Sequence, residues 1–160
     1  MGKELKIIRA SVDDVAFIAE IKTMAYRDEK ERFRPEDDKI PKWFYSEWYV
    51  DMPENIRLIK EYYVYRLTVN EVTIGTFWVH DVDVDTIELE DFCILPQYQG
   101  FGYGYEALNM MEGMFIKKKK WILGTPFYSL KNHYLYEKAG YKKVGTTSNE
   151  TVILYEKLIV

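Results

Sequence analysis

The sequence carries one cysteine, Cys93, in 160 residues. That excludes an intramolecular disulfide and any zinc site built from several thiolates. Its two histidines, His80 and His133, stand far apart with no acidic partner at ligand spacing along the chain, so no metal is expected. Excess positive charge is missing too: a formal charge of −4 and a pI near 5.3 argue against a nucleic-acid partner, which calls for a basic face. No apolar run approaches ~18 residues, so no membrane span is expected. Met1–Ser11 lacks the apolar stretch and cleavage site of a secretory leader, which points to a cytoplasmic protein. There are no internal repeats.

At 160 residues and 48% hydrophobic, the chain suffices for one core, and a single domain over 1–160 is expected. Aromatics are plentiful, 14 Tyr and 4 Trp among them, and rings with a polar edge suit a core that opens onto a ligand cleft.

The order of elements is α+β. Leu5 to Ile8 reads as a strand, and Ser11, Asp13 and Asp14 open a helix over Val12–Arg27 with apolar residues at helical spacing. Asp28–Asp38, charged and holding Pro35, reads as an exposed connection. Residues 40–61 bring Trp43, Phe44, Trp48 and Tyr49 between two prolines; the spacing predicts one or two short helices whose rings pack or line a pocket. Tyr62–Val69 and Val72–Val82 form a hairpin about Asn70-Glu71, and Thr86–Leu95 adds a third antiparallel strand. Tyr105–Lys118 reads as a helix with Lys117–Lys120 at its C-terminal end. A short strand at Trp121–Leu123, a helix over Ser129–Ala139 stopped by Gly140, and strands at Lys142–Val144 and Thr151–Leu158 complete the order.

Between the third strand and the helix after it lies Gln99-Gly100-Phe101-Gly102-Tyr103-Gly104. Backbone amides of such a loop converge on an anion at the helix N-terminus, and glycine permits the close approach. A dinucleotide fingerprint fails because Tyr105 stands where its third glycine belongs, and no Gly-Lys-Ser/Thr completes a nucleotide triphosphate loop.

The segment resembles the pyrophosphate loop of the GNAT superfamily of acyl-CoA-dependent N-acetyltransferases, Gln/Arg-x-x-Gly-x-Gly/Ala, here Gln99-x-x-Gly102-x-Gly104. Phe92–Pro96 precedes it as that family's central strand does, and Leu135-Tyr136-Glu137-Lys138-Ala139-Gly140-Tyr141 is similar to its downstream signature. The resemblance is close from Ile87 to Val144.

The resemblance implies a mixed, mostly antiparallel sheet of about seven strands flanked by helices, with a splayed central pair. It implies acetyl-CoA as co-substrate, the loop residues Gln99 to Gly104 on its pyrophosphate, and backbone near Phe92 and Ile94 on its pantetheine arm. Ser129, where the family often has asparagine, and Asn132 are its other candidate contacts. Tyr136 is implied as the acid that protonates the leaving thiolate. For the base, Glu88 and Glu90 alternate on one strand face expected to carry Phe92 and Ile94 as well, and Glu88 ranks first because some members place a glutamate six residues before the Ile94 position. Cys93 is expected to be a small core residue. The implied reaction is direct transfer to a primary amine, that of a small molecule foremost; a protein N-terminus or lysine, and a non-catalytic acyl-CoA-binding module, stay open. Dimers are common in the family, which leaves a homodimer open as a partner.

Overall fold

The computed structural model describes residues 4–160; Met1–Lys3, the start of the N-terminal segment read above, lie outside the described residues. Seven strands form one sheet: β1 Leu5–Arg9, β2 Tyr63–Val69, β3 Val72–Asp81, β4 Thr86–Ile94, β5 Lys120–Pro126, β6 Lys142–Thr146 and β7 Val152–Leu158, in the order β1-β2-β3-β4-β5-β7-β6. Every neighbouring pair is antiparallel except β4 and β5. The helices are α1 Val15–Arg32, α2 Met52–Glu61, α3 Tyr103–Met114 and α4 Leu130–Lys138.

Strand alternation sorts the sheet's two faces. Leu67, Phe77, Ile87 and Leu89 bury against Ala107, Leu108 and Met111 of α3, together with Tyr136 of α4. Val64 and Trp78 turn the other way onto Ile18 of α1 and Leu58 and Ile59 of α2. The β2–β3 hairpin turns where the sequence predicts, with Asn70 and Glu71 both at positive φ (+51° and +67°), the twist two-residue hairpin loops need.

Two helices depart from expectation. α1 does not stop at Arg27 but runs through the charged segment to Arg32, and only the remainder of Asp28–Asp38 is a connection. The extra turn is polar yet compatible with a helix: Asp28 pairs with Arg32 at 3.3 Å, and Lys30 and Arg32 sit favourably in the last turn. α3 ends early, at Met114, so the lysine run is not its final turn. Lys118 instead bonds back to the β3–β4 connection, 2.9 Å from Asp81 Oδ1 and 2.9 Å from the Asp83 carbonyl, while Lys120 enters β5.

The parallel pair is splayed. β4 and β5 pair only at Thr86↔Lys120, Ile87↔Trp121 and Glu88↔Ile122, after which β4 runs on to Ile94 and β5 to Pro126 apart from one another. β4 also carries a bulge: Trp78 pairs with Glu90 and Thr76 with Cys93, so Phe77 alone faces Asp91 and Phe92, and Asp91 takes φ +50°. The extra residue resets the alternation. Phe92 and Ile94 therefore join Ile87 and Leu89 on the α3 side, which corrects the expectation that they share a face with Glu88 and Glu90.

Candidate active site

The splay opens two clefts that meet. The first, about 320 Å³, lies between the second half of β4, the glycine loop, α4 and the last turn of α1. Its walls include Phe92, Ile94, Gln99, Gly100, Gly102, Tyr103, Gly104, Ser129 and Asn132, so the structure brings these sequence-predicted residues together. Phe101 is not among them; its ring is 64% exposed and lies 6.2 Å from that of Tyr103.

Local conformation explains the loop. Gly100 and Gly102 adopt φ +83° and +86°, where a Cβ is strained, and Gly102 caps α3 so that the helix's first-turn amides face the cleft. At Gly104 the constraint is space, since a Cβ would stand 3.1 Å from Leu135 Cδ2 of α4. Gln99 closes the loop onto the strand by donating from Nε2 to the Ile94 carbonyl at 2.8 Å. Its Oε1 accepts from Lys131 at 2.7 Å and from Arg32 at 3.3 Å. Lys138 lines the same cleft.

Arg32, Lys131 and Lys138 bring positive charge to the walls of this cleft, and the sequence reading missed all three. Lys131 and Lys138 lie in the helix the reading did identify, where cations about two turns apart on one face were a usable signal. Arg32 was hidden by ending α1 too soon.

The second cleft, about 160 Å³, lies on the other side of the splay. Trp43, Trp48, Tyr49, Tyr26 and Tyr128 wall it, so three rings of the cluster in residues 40–61 line a pocket while Phe44 packs inside. Glu90 and Tyr136 border it; Glu88 does not. Glu29, Phe92 and Asn132 border both clefts and mark their junction.

The titratable groups respond to burial. The Glu90 carboxyl is pushed up to about 8, chiefly by burial and further by the negative charges of Glu88 and Asp91. Burial likewise raises the Tyr136 hydroxyl far above its usual value, and the residue is only 5% exposed, packed against Tyr141 and Tyr155. Burial pushes the Cys93 thiol up to about 12, making it a poor nucleophile, although it stands in the wall of the first cleft. Glu29 is pushed up to about 7, mainly by burial, and accepts a hydrogen bond from the Ser129 hydroxyl. Asn132 donates to Thr125 Oγ1 at 3.4 Å.

His80 does have acidic partners, across the strand pair and not along the chain, which corrects the sequence reading. Its Nε2 lies 3.0 Å from Glu88 Oε1 and 3.7 Å from Glu90 Oε1. The three ligand-type atoms lie within 4.8 Å of one another. His133 is held by Tyr155 OH at 2.8 Å and the Pro126 carbonyl at 3.1 Å. Among the described residues, no helix is long and apolar enough to cross a membrane.

A glycine-lined anion cradle beside a splayed parallel strand pair defines an acyl-CoA-type transferase fold. The sequence profile of the acetyltransferase (GNAT) family matches residues 22–141, and the chain belongs to that family. Solved structures share the fold across nearly the whole chain. The PaiA N-acetyltransferase of Thermoplasma acidophilum, in complex with coenzyme A, is 17% identical with a TM-score of 0.76, covering 98% of this chain and 99% of its own. A dodecameric spermidine N-acetyltransferase from Vibrio cholerae is 17% identical at 0.68, covering 96% and 93%. A GNAT family acetyltransferase from Elizabethkingia anophelis with acetyl-CoA bound is 15% identical at 0.67, covering 97% and 98%. No curated protein sequence matches the chain.

Proposed function

We propose that this protein, as a single domain over residues 1–160, moves the acetyl group of acetyl-CoA directly to a primary amine of a small molecule. The observation that carries the reading is the junction: an anion cradle opens into one cleft, carboxylates and a phenol border the other, and the two meet where β4 leaves β5. Relatives of the same fold hold coenzyme A or acetyl-CoA, which supports the co-substrate.

In this reading the first-turn amides of α3, with Gln99 to Gly104, Arg32 and Lys131, bind the diphosphate. Phe92, Ile94, Ser129 and Asn132 border the path of the pantetheine arm toward the junction. The acceptor enters from the aromatic side. Glu90, the strand carboxylate that borders that side, removes a proton from the ammonium; the freed nitrogen attacks the thioester carbonyl carbon, and the tetrahedral intermediate collapses by breaking the C–S bond. Tyr136 gives the departing thiolate its proton and is restored by the second proton that the acylated nitrogen sheds, so one proton stays on Glu90 for release to solvent. Glu88 supports Glu90 from behind by holding His80.

Acetyl-CoA should raise the melting temperature of the protein, since a ligand bound only by the folded state stabilises it, and primary amines should release free thiol. No thermal shift at saturating acetyl-CoA would sink the reading; a shift without thiol release from any amine would leave a binding module in its place.

A further inference from the structure

Glu29 was expected in an exposed connection, yet it stands in the last turns of α1 and borders both clefts. Its carboxylate's one hydrogen-bond partner among the described residues is the hydroxyl of the buried Ser129, and no ion pair reaches it there. The cations of the same helix are already engaged. Lys22 bonds Asn55 and Asp91, Arg27 is bidentate to Glu47, Lys30 reaches the Ser46 carbonyl and Tyr49, and Arg32 pairs with Asp28 and reaches Gln99.

Glu29 is half-buried, and a carboxylate drawn partly out of water is unfavourable unless a cation or a proton neutralises it. Lys22, Arg27, Asp28 and Arg32 of α1 each have an opposite charge within ion-pair distance; Glu29 has none among the described residues, and it stands at the junction of the two clefts. We propose that Glu29 is the counter-ion that holds the acceptor's ammonium at this junction, and that the acceptor is a compact primary ammonium with an apolar body. The proposal rests on the transferase reading above.

The rest of the cavity fits that ligand. Tyr26, Trp43, Trp48 and Tyr128 offer ring faces and edges, which accept apolar carbon and favour cations over their faces. An ammonium has three N–H donors, so Glu29 and Glu90 can engage it together. Glu90 takes the proton, as in the reading above, while Glu29 remains the anion that holds the nitrogen in place; burial raises both carboxyls. Ser129 is then a positioning residue that orients the Glu29 carboxylate, which gives this serine a reason distinct from cofactor contact.

The test is Glu29→Gln, which keeps an oxygen to accept from Ser129 but removes the charge. Steady-state kinetics with an acceptor found in the amine panel should show the amine's KM raised about tenfold or more, kcat within about threefold, and the KM for acetyl-CoA unmoved. An unchanged acetyl-CoA thermal shift reports that the variant folds. An amine KM within about twofold of the wild type overturns the proposal while the transferase reading stands; a wild type that acetylates no amine overturns both. A second measurement needs no variant: on the wild-type enzyme the N-trimethylated acceptor, which keeps the charge and cannot react, should inhibit competitively far better than the isosteric neutral tert-butyl analogue. Equal inhibition by the two overturns the proposal.

Discussion

Lys22 Nζ lies 3.4 Å from Asp91 Oδ2, joining the middle of α1 to the one β4 residue at positive φ. The side chains are 2% and 13% exposed, and Asp91 also accepts from Trp78 Nε1 at 2.7 Å. This buried pair pins the bulge that turns the second half of β4 toward the cofactor cleft.

Removing one partner of a buried ion pair leaves the other uncompensated. Lys22→Ala should therefore lower unfolding stability by roughly 3–5 kcal/mol, measured by denaturant titration. Adding Asp91→Asn to it should restore part of the loss, because the amide oxygen still accepts from Trp78 and no bare charge remains. A double variant no more stable than the single one would show that the charge pairing is not what matters.

Glu90 titrates high because burial disfavours its anion. Catalysis requires the ionised form, so kcat should fall about tenfold per unit as pH drops below about 8, and Glu90→Gln should abolish both the dependence and most of the rate. Stability runs the other way. A carboxyl whose folded value exceeds its unfolded one contributes most below the usual carboxylate range and loses that contribution as pH rises through about 8, so Glu90→Gln should gain on the wild type in melts at alkaline pH and draw level in acid.

Tyr136→Phe keeps the ring that packs against Tyr141 and Tyr155 and removes only the hydroxyl. Thiol release should slow about 10²-fold, the lower end of what a general acid contributes, with the acetyl-CoA thermal shift unchanged. Undiminished turnover would assign Tyr136 to packing alone.

Gly102→Ala places a Cβ at φ +86° with nothing nearby to clash. Its cost is conformational, on the order of 1–2 kcal/mol, and it falls on the residue that sets the first turn of α3. Calorimetric titration should show acetyl-CoA bound more weakly, while the amine's KM at saturating acetyl-CoA stays put.

The parts that were legible in the sequence obey short-range rules. The hairpin at Asn70-Glu71 and the glycine loop announce themselves through residues that occupy unusual backbone conformations, and the mixed seven-stranded sheet with its splayed pair followed from the family resemblance that loop carries. What was missed depends on distant partners. α1 runs past Arg27 through a polar turn whose Asp28–Arg32 pair and C-terminal cations were local signals outweighed by its charge, while the cleft that turn borders is built by β4, the loop and α4 and shows in no local pattern. The face of Glu88 and Glu90 was read by simple alternation, and nothing at Asp91 warns of a break: no glycine marks it, and Lys22, 69 positions away, is among the groups that hold it. His80 found its carboxylates through strand register, invisible in spacing along the chain.

The bulge in β4 also limits how the gene for such a strand can drift. Loss of the Asp91 codon would keep Phe92 and Ile94 on the α3 side but strip Lys22 and Trp78 of the carboxylate they share, whereas a codon gained within Phe92–Ile94 would turn the residues after it out of that layer. At the bulge it is thus the carboxylate, and beyond it the residue count, that the gene must keep.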